Sequence, residues 1–115
     1  LEMKGRKLVI ENFYERVVKF KFEELCDRNL GSEDYLVLAN NCDFLFIENL
    51  PDFNEYNSNQ QNRFIILIDI IYEKKIPLMI TSPVNLDLIK SSKSLKEPFK
   101  RTISRLYELT SNNYN

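Results

Sequence analysis

The first part of the chain alternates between apolar residues and lysines. From Val18 to Phe22 every second side chain is apolar, and a lysine stands in each gap. This period of two is typical of a strand that buries one face and leaves the other in water. We predict a β-hairpin that pairs residues 7–10 with residues 17–22, followed by a helical turn at 23–26.

Polar residues mark the starts of two helices. Ser32 precedes two acidic residues, so it is predicted to be the N-cap of a helix that continues to about Asn40. Ser58 and Gln61 have the spacing of a capping box, and apolar side chains then recur at helical intervals as far as Lys75. Isoleucines widen this apolar stripe almost all the way round. We therefore expect an exposed and adhesive surface on the second helix, over residues 59–75, or on the sheet beside it, in a chain of this size.

A strand is predicted on either side of this second helix. Residues 44–47 form a continuous apolar run that ends at Glu48, and residues 76–81 form another. Short runs of this kind are typical of strands that are buried on both faces of a sheet. The order strand, helix, strand favours a parallel crossover.

The chain ends with an amphipathic helix that opens near Pro98. Its apolar side is predicted to face the core, while Arg101 and Arg105 lie one turn apart on a different face. The predicted fold class is α/β, with an N-terminal β-hairpin, a parallel strand–helix–strand unit and a C-terminal helix. Residues 1–115 are treated as a single domain, because 43% hydrophobic residues are enough for one packed core.

Composition excludes several classes of site. The chain has no histidine, so catalytic triads and metal sites that need an imidazole are ruled out, and no metal site is expected. A net charge of -1 lacks the basic excess that nucleic-acid binding uses, so nucleic acid is not an expected partner.

The apolar runs are too short to span a membrane and no signal-peptide pattern is present, so we expect a cytoplasmic protein without direct membrane insertion. Cys26 and Cys42 are too far apart for a redox or zinc motif and are expected to be buried thiols.

Glu48 is the first candidate for chemistry. An apolar strand that delivers a carboxylate to its C-terminal end is how P-loop ATPases hold a metal-bound water. The alternative is that the strand simply meets solvent there.

The next strand ends in Thr81 and Ser82, at the edge where open parallel sheets bind ligands. The chain contains two glycines, Gly5 and Gly31, so no glycine-rich phosphate loop can be written in it.

Three arginines form the second candidate group. Arg63, Arg101 and Arg105 could bind a nucleotide phosphate or a partner carboxylate through bidentate hydrogen bonds. The alternative is local pairing along the last helix, where Glu97 precedes Arg101 by four residues and Glu108 follows Arg105 by three.

Asp69 offers these arginines a structural role. It is the one acidic residue in the apolar run from 64 to 72, and no basic residue stands one turn away on either side. A carboxylate in such surroundings requires a cation from another element. We predict a structural pair of Asp69 with Arg105, ahead of Arg101, because Glu97 already offers Arg101 a partner.

Four segments of the chain carry a more specific pattern. They are FEELC at 22–26, LGSEDYL at 30–36, RFIILIDIIYE at 63–73 and RTISRLYEL at 101–109. In this order they closely resemble the C-terminal part of the ZapE family of AAA-type P-loop ATPases, also described as AFG-like. Asn62 departs from the family, which often has a second arginine at that place, and this weakens any paired-arginine finger.

The resemblance implies the C-terminal portion of a P-loop ATPase-like domain that works as an oligomer, in bacterial cell division or in mitochondrial membrane-protein quality control. It implies ATP and Mg²⁺ as cofactors of the complete protein and none for this chain, because the family's Walker A and Walker B motifs lie upstream of the matched region. The implied partners are the N-terminal ATPase half or neighbouring subunits, and cell-division or membrane-associated proteins. The family pattern does not identify which of Arg63, Arg101 and Arg105 contacts nucleotide.

Two classes of function follow from these observations. In the first, the chain is the C-terminal portion of such an ATPase, without its P-loop half, and is not competent for ATP hydrolysis alone. In the second, it is a free-standing protein–protein interaction module that binds no nucleotide. An adjacent upstream reading frame that ends in a P-loop half would favour the first.

Overall fold

A three-stranded parallel sheet with helices packed against it forms the framework of the molecule. The computed structural model describes residues 16–111. Their elements, in chain order, are β1 (Val17–Lys21), α1 (Phe22–Cys26), α2 (Ser32–Asn40), β2 (Phe44–Glu48), α3 (Ser58–Glu73), β3 (Leu78–Ile80), a 3₁₀ turn (Leu86–Leu88) and α4 (Lys96–Ser111). The predicted α/β class is confirmed. Across residues 16–111, every helix falls short of what a membrane-spanning segment requires.

The sheet has the order β1–β2–β3, and β2 pairs in parallel with both neighbours. In this register Val18 lies beside Leu45, and Leu45 lies beside Leu78. β2, α3 and β3 therefore form the parallel strand–helix–strand unit that the two short apolar runs predicted.

The predicted N-terminal hairpin is described in part. Its second strand is β1, which ends at Lys21 because Phe22 already begins α1. Its first strand, residues 7–10, lies outside the described residues. The partner described for β1 is β2, and that pairing is parallel.

The main core lies between one face of the sheet and the helices. Val18, Phe20, Leu45, Ile47 and Leu78 share this face and are all fully buried. On the other side of the core lies α3, which contacts α1, α2 and α4. A helix with three helical neighbours needs apolar side chains around most of its circumference. The wide stripe of α3 is therefore largely covered, and its apolar side chains are all buried or half-buried.

The start of α2 differs from the prediction by one residue. Gly31 occupies the N-cap position instead of Ser32. Its N–H donates to Oδ2 of Asp34 at 2.9 Å, so an acidic side chain in the first turn satisfies the helix end.

The start of α3 also differs, because its predicted capping box is not formed. Asn57 is the N-cap residue and makes no side-chain capping bond. Gln61 is fully buried, and its amide donates to Ser91 Oγ at 2.7 Å while its carbonyl oxygen accepts from Ser92 Oγ at 2.8 Å. Gln61 thus fixes the loop that leads into α4 onto α3.

Candidate functional site

The carboxyl edge of the sheet carries the first predicted site residue, Glu48, at the end of β2. Its Oε2 lies 3.2 Å from the Lys19 ammonium of β1. The same ammonium lies 5.4 Å from the centre of the Phe46 ring. Lys19, Phe46 and Glu48 therefore form a group on the sheet face opposite the main core, because strand side chains alternate between faces. The Glu48 carboxylate has a cation partner within the sheet.

Thr81 lies at the same edge and connects the two strand ends. Its Oγ1 accepts from the Asn49 N–H at 3.0 Å, and its carbonyl accepts from the Leu50 N–H at 2.9 Å. Asn49 has φ of 65°, a left-handed conformation that asparagine tolerates better than most residues. The next hydroxyl, that of Ser82, donates to the Val84 carbonyl. These side chains are used to shape the turns that follow β2 and β3.

The start of α2 does not fit a phosphate site. Gly31 is the glycine among the described residues, and its N–H donates to Asp34 rather than pointing at an open site. Glu33 and Asp34 fill the first turn of α2 with negative charge, which disfavours a bound anion there. Within residues 16–111, no group of three or more Cys, Asp or Glu side chains is arranged to hold a metal ion.

Arg63 connects α3 to α1. Its Nη1 donates to the Cys26 carbonyl at 2.9 Å. Cys26 is the last residue of α1, where carbonyl groups lack partners within the helix and favour a cation. The structure therefore places Arg63 in a contact between helices.

Asp69 brings the other two arginines together. Its Oδ1 lies 2.5 Å from Arg105 Nη1, and its Oδ2 lies 3.6 Å from Arg101 Nη2. The three side chains differ in exposure, with Arg105 at 27%, Asp69 at 35% and Arg101 at 53%. A single carboxylate of α3 thus receives two guanidinium groups from successive turns of α4, and Arg101 is the more distant and more exposed of the two.

Tyr72 belongs to the same cluster, and the sequence reasoning did not include it. The Arg105 guanidinium lies over its ring at 4.6 Å from the centre. Its hydroxyl donates to Glu108 at 3.0 Å, and this hydrogen bond to a carboxylate raises the pKa of Tyr72. Its spacing from Asp69 could have placed it there, because Tyr72 follows Asp69 by three residues and so lies on the same face of α3.

The local pairings expected along α4 take a different form. Among the described residues, Glu97 forms its ion pair with Lys100, at 3.0 Å, instead of Arg101. Glu108 accepts from Tyr72 rather than pairing with Arg105. Both arginines therefore remain directed at Asp69.

The two cysteines lie inside the protein, as predicted. Both are free thiols, and burial raises the pKa of each, that of Cys42 to about 11. Neither thiol has the lowered pKa of a nucleophile.

Comparison with known proteins identifies relatives. A family model described as AFG1-like ATPase matches residues 1–115. Cell division protein ZapE of Escherichia coli K12 is 28% identical over 114 residues, which cover 99% of this chain and 30% of that protein. Lactation elevated protein 1 homolog B of Danio rerio is 31% identical over 87 residues, 76% of this chain and 17% of that protein. The chain spans less than a third of the length of either relative. No solved structure matches.

Proposed function

The chain belongs to the AFG1-like ATPase family, and from this premise we propose that it supplies the C-terminal portion of a ZapE-like AAA-type ATPase. In this proposal the complete protein binds and hydrolyses ATP with Mg²⁺, and the 115 residues alone do not. The observation that carries the proposal is the family match across residues 1–115 in a chain whose sequence contains no glycine-rich phosphate loop. Nucleotide is then held by residues outside this chain.

Arg101 is the residue that we assign to a contact with an anionic group on another part of the ATPase or on a neighbouring subunit. Arg63 and Arg105 make close contacts that join α3 to α1 and to α4. Arg101 is 53% exposed and 3.6 Å from Asp69, so little internal interaction opposes its use elsewhere. A guanidinium is always charged and suits recognition of phosphate or carboxylate oxygens.

Cell division in the cytoplasm is the process that we propose for the complete protein, with neighbouring subunits and cell-division proteins as partners. The E. coli relative that aligns with 99% of this chain carries the name of a cell division protein. The resemblance to mitochondrial members makes membrane-protein quality control the alternative role.

Turnover of Mg-ATP tests the proposal in a complete ZapE-like protein whose C-terminal region is this sequence. We expect Arg101→Ala to lower kcat by about 100-fold or more, as loss of an arginine that contacts nucleotide does. Arg28→Ala is the matched control, because Arg28 is an exposed arginine that lies outside α4. Equal activity of the two variants would refute the assignment of Arg101. Hydrolysis of ATP by the 115 residues alone, if Glu48→Gln abolishes it, would refute the proposal that this portion cannot hydrolyse ATP without the rest of the protein.

A further inference from the structure

A groove between the 3₁₀ turn and α4 combines an apolar floor with a rim of lysines. It encloses about 620 Å³. Ile89 and Phe99 form the floor and are 9% and 3% exposed, and the half-buried Ile103 continues it. The charged side chains that line the groove are those of four lysines and one aspartate, Lys90, Lys93, Lys96, Lys100 and Asp87. A partner with both negative charge and apolar side chains would therefore match this surface.

Most of the charge on the rim is not neutralised internally. Within residues 16–111, the ammonium groups of Lys90, Lys93 and Lys96 form no ion pair. Lys100 pairs with Glu97, whose side chain is 80% exposed, so solvent screens that pair strongly. Because four lysines and one aspartate line the groove, positive charge is in excess there, in a chain whose net charge is -1.

The backbone that carries these lysines is held in place by other elements. The Lys90 N–H donates to Asp52 Oδ1 at 2.8 Å, and the Lys93 N–H donates to Glu55 Oε2 at 2.8 Å. Gln61 binds the two serines between these lysines. Asp52 and Glu55 therefore fix the backbone of the rim, which keeps its spacing without a ligand. Asp87 also lines the groove, and its carboxylate accepts from the Tyr107 hydroxyl at 3.1 Å. Such preorganisation lowers the entropic cost of binding.

We propose that this groove binds an acidic peptide segment of a partner protein. One or two of its apolar side chains pack on Leu86 and Ile103, which line the groove and are half-buried, and its carboxylates face the lysines. Charge complementarity selects an acidic segment over a neutral one. A lipid surface is too flat to reach a floor of side chains that are almost fully buried. Single-stranded nucleic acid binds to exposed aromatic rings, and Phe99 is 3% exposed.

Fluorescence anisotropy with the 115-residue chain and a labelled peptide, SDEFDELDS, tests the proposal. We expect saturable binding that Lys93→Gln combined with Lys96→Gln weakens by about tenfold. Lys74→Gln combined with Lys75→Gln is the matched control, since it removes the same charge from exposed lysines at the end of α3. This control is expected to change the affinity by less than about twofold. An equal loss in both variants would show non-specific charge attraction and overturn the proposal.

A second probe tests the apolar floor on the unaltered chain, so it does not depend on the stability of any variant. The peptide SDESDESDS keeps the charges and replaces both apolar residues by serine. We expect it to bind at least about tenfold more weakly, because it buries no large apolar side chain. Equal affinity for the two peptides would overturn the proposal. Tighter binding of a single-stranded oligonucleotide or of phosphatidylserine vesicles, lost in the Lys93 and Lys96 variant, would assign the groove to that ligand instead.

Discussion

The cluster around Asp69 predicts that α4 is joined to α3 by a measurable electrostatic coupling. The perturbation is a double-mutant cycle that combines Asp69→Asn with Arg105→Gln. Asp69→Asn keeps the size of the side chain and removes its charge, whereas Arg105→Gln removes the charge and also shortens the side chain. The free energy of unfolding of the four proteins isolates the interaction between the two residues.

The expected magnitude follows from the exposure of the pair. Fully exposed ion pairs contribute about 0.2 to 1 kcal/mol, whereas breaking a buried pair costs about 3 to 5 kcal/mol. Arg105 is 27% exposed and Asp69 is 35% exposed, which places this pair between the two limits. We expect each single replacement to lower the free energy of unfolding by about 1 to 2 kcal/mol. Arg105→Gln also removes the contact with the Tyr72 ring, which adds about 0.5 to 1 kcal/mol.

The coupling energy itself should be about 1 kcal/mol. Arg101 limits it, because this second guanidinium lies 3.6 Å from the same carboxylate and stays there when Arg105 is replaced. Urea unfolding followed by circular dichroism gives the free energies, provided that the m-value is unchanged among the four proteins. Repeating the cycle in 1 M salt should reduce the coupling, since the pair is partly exposed to solvent.

A second cycle on α4 serves as the control. Glu97 and Lys100 form an ion pair at 3.0 Å, and their side chains are 80% and 65% exposed. Glu97→Gln with Lys100→Gln should therefore show a coupling below about 0.5 kcal/mol. The reasoning fails if the Asp69–Arg105 cycle is additive within about 0.3 kcal/mol, or if the exposed pair couples as strongly.

Three further predictions concern the core, the thiols and nucleotide. Leu45→Ala in β2 should destabilise by about 2 to 5 kcal/mol in urea melts, whereas Leu36→Ala, at a side chain 40% exposed, should cost less than about 1 kcal/mol. Burial raises the pKa of both thiols, that of Cys42 to about 11, so the contribution of Cys42 to stability should be full below about pH 8.5 and then fall by about 1.4 kcal/mol per pH unit up to that pKa. Cys26 loses stability over the same range, so urea melts at alkaline pH should show that Cys42→Ala removes about half of the fall. Isothermal titration of the 115 residues with Mg-ATP should give no saturable heat, and a micromolar dissociation constant would contradict this.

The strands were predictable because they are defined by local apolar pattern, whereas the parallel pairing of β1 with β2 was not predicted. The continuous run at 44–47 and the alternation from Val18 to Phe22 each reflect how many faces of a strand are buried. The helix starts were less predictable. Gln61 has the spacing of a capping residue, but its buried amide binds Ser91 and Ser92, which are about thirty positions away in the chain. A tertiary hydrogen bond of this kind overrides local capping and leaves no signal in the neighbouring sequence.

The contacts of the three arginines could be predicted to different degrees from the sequence. The direction of Arg105 toward α3 could be inferred, because Asp69 lacks a local cation in the sequence. Glu97 does not occupy Arg101 as predicted, because its partner is Lys100. The contact of Arg63 was not predictable, because it is made with the backbone carbonyl of Cys26, and every residue has such a group.

The pairing at Asp69 bears directly on the proposed role of Arg101. The carboxylate has two oxygens, and each lies nearest to a different arginine. When Arg101 turns to an anion outside the chain, Asp69 keeps Arg105 and is not left as an unpaired, partly buried charge, which would be costly. The α3–α4 contact therefore survives the release of Arg101. In this arrangement Arg105 holds α4 on α3, while Arg101, one turn earlier, is available for a contact outside the chain. Arg101→Ala should therefore lower ATP turnover by the complete ATPase much more than it lowers the stability of this domain.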